Sequence, residues 1–426
     1  MTRLESRRLA PLAFLLLSAC AHQAASSSAP RPVEPGSSIQ LVESAPVETT
    51  LDHPDVPNAA EVWVEMINSA RHSLDVAQFY ASDEGNSRLS AVIAAIHKAA
   101  ARGVRVRFLV DASFSTKYPD TLEKIARREN IELRRFEVQK RMGGIQHAKY
   151  FVVDRSEVYL GSQNFDWRSL EHIQELGVRI RSKQLAGELL DVFNMDWEMA
   201  AGAPDDYRPR QRAERGPVTL ASGEKVTFVA SPEDWLPDEN AWDLPRMVAL
   251  IDGAREEVGV QLLTYGTRSY DGSRFFTLDE ALRRAAARGV KVRLLVSDWS
   301  NRPRSWPRHS ISALGRTPGI EVRVITIPLW SGGEIPFARV CHSKFMVVDG
   351  RHAWVGTSNW DGDYFLKSRN VGVVVDDSGF AGQVERLLDD AWESRYAQPL
   401  APMGPDEKPE QRKPEPAPKP ADAPKG

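Results

Sequence analysis

The sequence predicts an α/β protein of two similar lobes, each a mixed β-sheet flanked by helices, packed with pseudo-twofold symmetry around one shared active site. Three observations predict this fold: the length, a long internal repeat, and a short pattern of polar residues in each half. At 426 residues the chain exceeds one ordinary domain of about 150 residues. Hydrophobic residues make up 42% of the chain, which suffices for a buried core in each lobe.

The repeat is clearest where a helix ends at a glycine and a buried strand follows. Residues 99–110 and 285–296 both begin Ala-Ala-Ala-Arg-Gly and continue with a segment rich in Val and Leu, as expected for a helix stop before a strand. The upstream segments repeat one order, with helices predicted at 62–70 and 247–254 and strands at 74–80 and 258–265. Strands that alternate with helices favour a mixed sheet covered on both faces.

Composition sets the expected boundaries of the lobes. Residues 21–37 are rich in Ala, Ser and Pro, and residues 401–426 in Pro, Lys and Glu, so neither segment has enough apolar surface to fold. A stretch rich in Pro and charge, with a short extended piece at residues 226–229, separates the repeats. We therefore predict a signal segment (1–20), a flexible tether (21–37), a first lobe (38–201), a connector (202–240), a second lobe (241–400) and a disordered tail (401–426).

The N-terminus predicts secretion and a lipid anchor. Arginines precede an apolar run at residues 9–17, which is a secretory signal too short to span a bilayer. The sequence Leu-Ser-Ala-Cys that ends at Cys20 resembles the bacterial lipobox, in which the cysteine receives lipid. We expect Cys20 to hold the protein at the inner or outer membrane of the cell envelope; the alternative is an ordinary cleaved signal. Cys341 is then the one remaining cysteine, so the mature chain has no intramolecular disulfide.

The most informative pattern joins His, Lys, Asp, Ser or Thr, and Asn at fixed spacings. It occurs twice with identical spacing, at His147, Lys149, Asp154, Ser162 and Asn164, and at His342, Lys344, Asp349, Thr357 and Asn359. A pattern that occurs once in each half of the chain predicts two half-sites that face each other and share one substrate.

Strand geometry suggests how each half-site is built. Residues two apart on a strand share a face, so His147 and Lys149 are expected to project together toward the partner half. Asp154 has the opposite parity and lies at a predicted hairpin turn; we therefore expect it, like Asp349, to support the structure. The Ser or Thr and the Asn of each copy are expected to reach the same edge.

These residue types suit an anionic tetrahedral centre such as a phosphodiester. Lysine and asparagine side chains would stabilise charge on the non-bridging oxygens. One imidazole would attack phosphorus and form a phosphohistidine, and the other would protonate the leaving oxygen and later activate water or an acceptor alcohol. This scheme needs no metal.

The doubled pattern, His-x-Lys-x4-Asp followed by Gly-[Ser/Thr]-x-Asn, resembles the signature of the phospholipase D superfamily. Residues 161–170 and 356–360 are similar to the branch with lysosomal phospholipase D-like 5′ exonucleases and poxvirus envelope phospholipases. The likeness runs from about Ile39 to Ala397. It implies a two-lobed α/β sandwich, a phosphohistidine mechanism and no cofactor.

The halves differ at one position that the resemblance makes informative. Glu175 follows Asn164 at the spacing at which Asn370 follows Asn359, and in the family a carboxylate near this place orients a histidine. We expect Glu175 to accept the Nδ1 proton of His147. With the family habit that the first histidine attacks, this predicts His147 as nucleophile and His342 as acid/base, with Asn370 orienting His342.

The expected function is a monomeric phosphodiester hydrolase or phosphatidyltransferase, and three substrate hypotheses stay open. A phospholipid is the expected substrate, because the predicted membrane anchor would place the enzyme beside it; the other two hypotheses are alternatives. A 5′ exonuclease acting on single-stranded nucleic acid is favoured by the family branch. A non-catalytic module that binds lipid or polyanion is the third. The net charge of −3 does not separate them, because a local basic groove can exist on a nearly neutral protein.

Overall fold

The computed structural model describes residues 38–209 and 215–404. Cys20, the signal segment, the tether and most of the predicted tail lie outside these residues. No helix in the described ranges has both the length and the apolar character needed to cross a bilayer.

The first lobe contains strands β1 to β9 and helices α1 to α7. Its strands are β1 Ile39–Ser44, β2 Ser73–Gln78, β3 Ala81–Ser82, β4 Arg105–Asp111, β5 Ile131–Phe136, β6 Tyr150–Val153, β7 Glu157–Gly161, β8 Phe165–Asp166 and β9 Glu175–Arg181. Its helices are α1 Ala59–Ser69, α2 Arg88–Ala101, α3 Ala112–Ser115, α4 Pro119–Ala126, α5 Val138–Arg141, α6 Trp167–Glu171 and α7 Lys183–Ala200.

The second lobe repeats this order. Its strands are β10 Val218–Thr219, β11 Lys225–Ser231, β12 Glu257–Leu262, β13 Lys291–Ser297, β14 Ile320–Ile325, β15 Phe345–Val348, β16 His352–Gly356, β17 Asn370–Asp376 and β18 Ala397–Pro399. Its helices are α8 Asp243–Gly253, α9 Thr277–Ala287, α10 Trp306–Leu314, α11 Gly362–Leu366 and α12 Ser378–Glu393. Short 3-10 turns lie at Glu233–Trp235, Glu239–Ala241 and Asp298–Asn301.

The two large sheets share one topology. The first has the order β1-β9-β7-β6-β2-β4-β5, and the second has the equivalent order β11-β17-β16-β15-β12-β13-β14 with β10 and β18 added at its edges. Strands β2, β4 and β5 run parallel, whereas β6 pairs with β2 in the antiparallel sense. The same holds for β12, β13, β14 and β15. The predicted pair of lobes with mixed sheets is confirmed.

Helices α2 and α9 show why the repeat folds as predicted. Each ends in front of a glycine with positive φ, Gly103 at 91° and Gly289 at 88°, and a side chain there is strained. The next residues enter the central strands β4 and β13, whose Val and Leu side chains are buried.

The central core is shared between the lobes. Tyr150 and Phe193 of the first lobe and Phe345 and Leu388 of the second belong to one buried apolar cluster. Separate clusters lie under α1 and α2 and under α8 and α9. Burial of apolar surface is the main favourable term in folding, so the lobes are expected to be stable as one unit.

The predicted connector was partly wrong. Residues 218–219 and 225–231 form β10 and β11, which belong to the second sheet, and β11 pairs with β17 as β1 pairs with β9. The second lobe therefore begins near Val218 and not at residue 241. The extended piece predicted at residues 226–229 is part of this seven-residue strand, and the polar composition of the surrounding loops led to its assignment to the connector.

Candidate active site

Each signature motif lies on an irregular extended segment that enters a β-hairpin. His147 and Lys149 come directly before β6, and His342 and Lys344 directly before β15. The expectation that they lie within a strand was therefore wrong by a few residues. These segments lie at the ends of the central strands β6 and β15, where the two lobes meet. Their side chains therefore face the partner lobe.

The aspartates of the motifs support the hairpins, as predicted. Asp154 accepts hydrogen bonds from the backbone N–H groups of Arg71, His72 and Ser73 at 2.7–2.9 Å. Its φ of 49° places it at the turn between β6 and β7. The three amides fix the start of β2 against this turn.

Asp349 repeats the arrangement in the second lobe. Its carboxylate accepts from the backbone N–H groups of Arg255, Glu256 and Glu257 at 2.8–2.9 Å, and its φ is 53°. Because both aspartates are occupied by backbone amides far down the hairpin, neither is placed to contact a substrate.

Backbone pairing between the lobes sets the register of the histidines. The N–H of His147 donates to the carbonyl of Arg369 at 3.0 Å, and the N–H of His342 donates to the carbonyl of Gln174 at 2.8 Å. Each motif therefore runs beside the segment that precedes the last central strand of the other lobe. This pairing places residue 175 of the first lobe beside the histidine of the second lobe, and residue 370 of the second lobe beside the histidine of the first.

The side-chain partners of the histidines follow from this backbone pairing and correct the sequence-based pairing. Nδ1 of His342 lies 2.7 Å from Oε2 of Glu175, and Nδ1 of His147 lies 3.1 Å from Oδ1 of Asn370. The expected partnership of Glu175 with His147, and of Asn370 with His342, was wrong. The carboxylate supports the second histidine, because partners are exchanged across the pseudo-twofold axis.

Hydroxyl groups position the carboxylate. The Ser169 hydroxyl donates to Oε1 of Glu175. The Ser162 hydroxyl donates to the Leu176 carbonyl at 3.2 Å and accepts from the Leu176 N–H at 3.0 Å, which fixes the start of β9. Ser162 therefore contacts the backbone of β9 next to Glu175.

Asn370 is held by a different set of groups. Its Oδ1 accepts from the Thr357 hydroxyl at 2.9 Å, and its Nδ2 donates to the Tyr364 carbonyl at 2.8 Å. Because Nδ2 donates to a carbonyl, the amide orientation is fixed and Oδ1 must face His147. The imidazole of His147 then donates from Nδ1, which leaves Nε2 directed away from Asn370.

The lysines and the motif asparagines complete the centre. Lys149 and Lys344 are fully buried, and each donates to the carbonyl of its own motif histidine. Oδ1 of Asn164 and Oδ1 of Asn359 accept no hydrogen bond from the described residues. These oxygens can accept a hydrogen bond from a ligand hydroxyl, whereas a phosphate oxygen would be met by the Nδ2 groups, which donate.

Burial dominates the protonation of the site. It lowers the pKa of His147 and of His342 well below the ordinary value, and the two lysines lower both further. Burial also lowers the pKa of Lys344 to about 7 and raises that of Glu175 to about 7. The protonated forms of the two histidines and two lysines are disfavoured because these groups lie close together in a low-dielectric environment. A bound phosphate would offset this cost, so the site is suited to an anion.

Two residues of this site were not predicted from the sequence. Ser169 bonds Glu175, and the Tyr364 ring lies 4.8 Å from the His147 ring. They occupy equivalent places after the motif asparagines, but a serine or tyrosine carries no recognisable signal alone. Cys341 is buried beside His342, and burial raises its thiol pKa to about 12, which suits a packing role.

Comparison with known proteins agrees with this geometry. The family model described as "Cardiolipin synthase, PLD-like domain" matches residues 63–197 and again residues 247–392. A solved structure of phosphatidylserine synthase from Haemophilus influenzae superposes with a TM-score of 0.57 at 16% identity, covering 80% of this chain and 85% of that chain. At that identity the superposition supports the fold.

Curated relatives of similar length carry two kinds of name. The chain is 30% identical to "Phospholipase D Z" of Dictyostelium discoideum over 390 residues, which covers 86% of this chain and 91% of that protein. It is 31% identical to "5'-3' exonuclease PLD3" of Homo sapiens over 396 residues, covering 84% and 80%. It is also 31% identical to "5'-3' exonuclease PLD4" of Mus musculus, covering 84% and 79%.

Proposed function

This chain belongs to the family of phospholipase D-like proteins, and we propose that it cleaves phosphodiesters at one site shared by its two lobes through a phosphohistidine intermediate. The observation that carries the proposal is the pair of cross-lobe contacts, Glu175 with His342 and Asn370 with His147. They present two differently supported imidazoles to one centre, as a two-step displacement requires.

The asymmetry of the partners assigns the roles. A carboxylate on Nδ1 keeps the proton on that nitrogen, frees Nε2 and stabilises the cation that forms when Nε2 bonds to phosphorus. Glu175 does this for His342, so we assign the attack to His342. The neutral amide of Asn370 stabilises a cation less, so the imidazolium of His147 gives up its proton more readily. His147 is therefore assigned as the acid that protonates the leaving oxygen.

This assignment reverses the one expected from the sequence. That expectation rested on Glu175 as the partner of His147, and the contact is instead with His342 at 2.7 Å. Lys149 and Lys344, with the amides of Asn164 and Asn359, are assigned to the non-bridging oxygens, where charge accumulates as bonds change.

We propose the terminus of single-stranded nucleic acid as the substrate. His147 and His342 are only 4% and 8% exposed, so a chain end reaches them more readily than an internal segment does. Curated relatives that match this chain along four-fifths of their length are named 5'-3' exonucleases. Both considerations favour cleavage from an end.

The test uses protein without residues 1–20 and two DNA substrates of one sequence, a linear single strand and the same strand closed into a circle. Release of mononucleotides from the linear form, and none from the circle, is expected. His147→Ala and His342→Ala serve as inactive controls. Equal cleavage of the circle would contradict end-directed action, and no cleavage of either strand would overturn the nucleic-acid proposal.

A phospholipid is the second candidate substrate, and the surface offers one observation in its favour. Leu329 and Phe337, on the loop between β14 and the second motif, are 71% and 70% exposed. Apolar side chains on a loop near a reaction centre suit contact with a bilayer. Lipidation of Cys20, a place in the cell envelope and a monomeric state belong to this same proposal.

That candidate is tested with vesicles of phosphatidylglycerol, cardiolipin or phosphatidylcholine, offered to the same protein. Headgroup release that is absent from both histidine variants would support it. Binding to vesicles without turnover of lipid or DNA would instead favour the non-catalytic module.

A further inference from the structure

The two lobes differ beside the motif asparagines, and in the second lobe a cavity lies at this place. Asp166 and Asp361 are equivalent, since each lies two residues after a motif asparagine. The residue before each aspartate pairs with an equivalent partner, Phe165 with Ala81 and Trp360 with Tyr265. The surroundings of these aspartates can therefore be compared position by position.

In the first lobe the space around Asp166 is filled. The Tyr80 hydroxyl donates to Oδ2 of Asp166 at 2.7 Å. The Arg168 guanidinium donates to the same carboxylate at 2.6–3.1 Å, and both partners of this ion pair are buried. Asp166 is neutralised by its own lobe and has no surface left for a ligand.

In the second lobe both partners are replaced. Thr264 stands where the first lobe has Tyr80, and Asp363 stands where it has Arg168. Oδ1 of Asp361 consequently has no hydrogen-bond partner among the described residues. Burial, together with the nearby Asp363, raises the pKa of Asp361 to about 8. A carboxyl group in this state can both donate and accept a hydrogen bond at neutral pH.

A cavity of about 780 Å³, which we call the lobe 2 pocket, lies where Thr264 replaces the larger tyrosine of the first lobe. Asp361 and Thr264 line it together with Arg268, Arg302 and Trp306. The Arg268 guanidinium lies 3.8 Å from the centre of the Trp306 ring, so the two form a flat cationic surface. Flat cationic and aromatic surfaces stack on the faces of nucleobases.

The lobe 2 pocket adjoins the reaction centre through Tyr364. This ring contacts His147 at 4.8 Å between ring centres. Burial raises the pKa of Tyr364, the neighbouring Tyr270 and Asp361 raise it further, and a hydrogen bond with Asn359 opposes them. Tyr364 contacts the imidazole of His147, and its backbone N–H donates to the carbonyl of Asp361, a residue that lines the pocket, at 3.3 Å.

We propose that the lobe 2 pocket binds the nucleobase of the terminal nucleotide, stacked on the Arg268–Trp306 surface with its polar edge at Asp361. This inference rests on the proposed action on nucleic acid and adds the element that reads the substrate. Arg302, at the mouth of the pocket, would meet the phosphate of the next nucleotide.

The variants follow from the comparison of the lobes. Thr264→Tyr restores the residue of the first lobe and is expected to occupy the part of the pocket beside Asp361, and Trp306→Ala removes the stacking surface. Phe276→Ala is the matched control, because Phe276 is an aromatic residue of the same lobe that is 41% exposed and lies outside the pocket. Thermal unfolding of each variant reports whether it is folded.

The first readout compares kcat/KM for a linear oligonucleotide with that for methyl 4-nitrophenyl phosphate, which has no base. We expect Thr264→Tyr and Trp306→Ala to lose roughly 5- to 100-fold on the oligonucleotide and to keep wild-type turnover of the small diester. Phe276→Ala should match wild type on both. Equal losses on the two substrates, or no loss on the oligonucleotide, would overturn the inference.

The second readout does not depend on DNA cleavage. Equilibrium dialysis measures binding of thymidine 5′-monophosphate and of 2-deoxyribose 5-phosphate, which differ only by the base. The wild-type protein should bind the nucleotide at least fivefold more tightly, and Thr264→Tyr should bind both alike. If the wild type binds both alike, or prefers glycerol 3-phosphate, the base pocket is wrong even where DNA is cleaved. If the protein binds the nucleotide more tightly but does not cleave DNA, the proposed exonuclease activity is wrong and the proposed base-binding role of the pocket is supported.

Discussion

Glu175, at the start of the last central strand of the first lobe, lies 2.7 Å from Nδ1 of His342 in the second lobe. The contact crosses the pseudo-twofold axis, and its counterpart from Asn370 to His147 crosses in the other direction. Neither lobe contains a complete histidine site, because each histidine depends on a group from the other lobe. The asymmetry between carboxylate and amide then decides which imidazole attacks.

The first prediction concerns the two orienting residues. Glu175→Gln removes the charge that stabilises the His342 cation, so kcat should fall by roughly two to four orders of magnitude. Asn370→Ala removes a neutral partner and should cost about tenfold. Single-turnover cleavage of a chromogenic phosphodiester measures both. A larger loss in Asn370→Ala than in Glu175→Gln would contradict the assigned roles.

The second prediction concerns pH. Burial raises the pKa of Glu175 to about 7, so kcat/KM should rise as increasing pH ionises this carboxyl group. Burial lowers the pKa of Lys344 to about 7, so kcat/KM should fall as this ammonium loses its proton. The two groups are coupled, and the limbs report apparent values of the pair. We expect kcat/KM to reach a maximum near neutral pH. In Glu175→Gln, kcat/KM should no longer rise with pH below this maximum, but it should still fall above it because Lys344 is unchanged.

The third prediction tests how the lobes are joined. Arg369 and Asp196 form a fully buried ion pair between the second lobe and α7 of the first, with both contacts at 2.8 Å. Asp196→Ala leaves a buried charge without its partner and should lower the free energy of unfolding by about 3–5 kcal/mol. Urea denaturation measures this change.

The control for that variant is a second ion pair between the lobes, on the surface. Asp55 contacts Arg386 at 2.6 Å, and more than half of the Asp55 side chain is exposed. Asp55→Ala should change the free energy of unfolding by at most about 1 kcal/mol. Similar losses in the two variants would show that burial of the Arg369 pair does not matter.

The fourth prediction separates support from catalysis. Asp154→Ala leaves three backbone N–H groups at the start of β2 without their acceptor and should cost about 1–3 kcal/mol of unfolding free energy. Burial raises the pKa of Asp154, but these amides lower it more, so it lies below 3.8. The contribution is therefore present above pH about 4 and lost as pH falls through the folded-state pKa.

Turnover gives the decisive readout for Asp154→Ala. The folded protein, assayed well below its unfolding temperature, should keep a kcat within about threefold of the wild type. A loss of several orders of magnitude in a variant with an intact unfolding transition would place Asp154 in the reaction instead.

Much of the fold could be predicted because its signals are local. The helix, glycine and strand of residues 99–110 recur at 285–296, and each step depends on neighbours in sequence. Strand β11 was placed in a connector because its partner, β17, lies more than a hundred residues later. Pairing at that distance leaves no local trace.

The motif residues of the site and the two orienting residues were predictable, but their pairing, and the places of Ser169 and Tyr364, were not. The doubled motif identifies the histidines, and the spacing identifies Glu175 and Asn370. Symmetry then allows two arrangements, in which each histidine takes its partner from its own lobe or from the other. The backbone contacts of His147 with Arg369 and of His342 with Gln174 decide for the second, and only the packed lobes contain that information.

The central claim is that His342, supported by Glu175, forms the covalent bond to phosphorus. The direct measurement traps the phosphoenzyme during turnover without the use of acid. The labelled peptide is then mapped at neutral or alkaline pH, where phosphohistidine is stable. The phosphoryl group is expected on the peptide that contains His342, and His147→Ala should accumulate it when the substrate has a good leaving group such as 4-nitrophenol. Label on His147, with none on His342, would contradict the account.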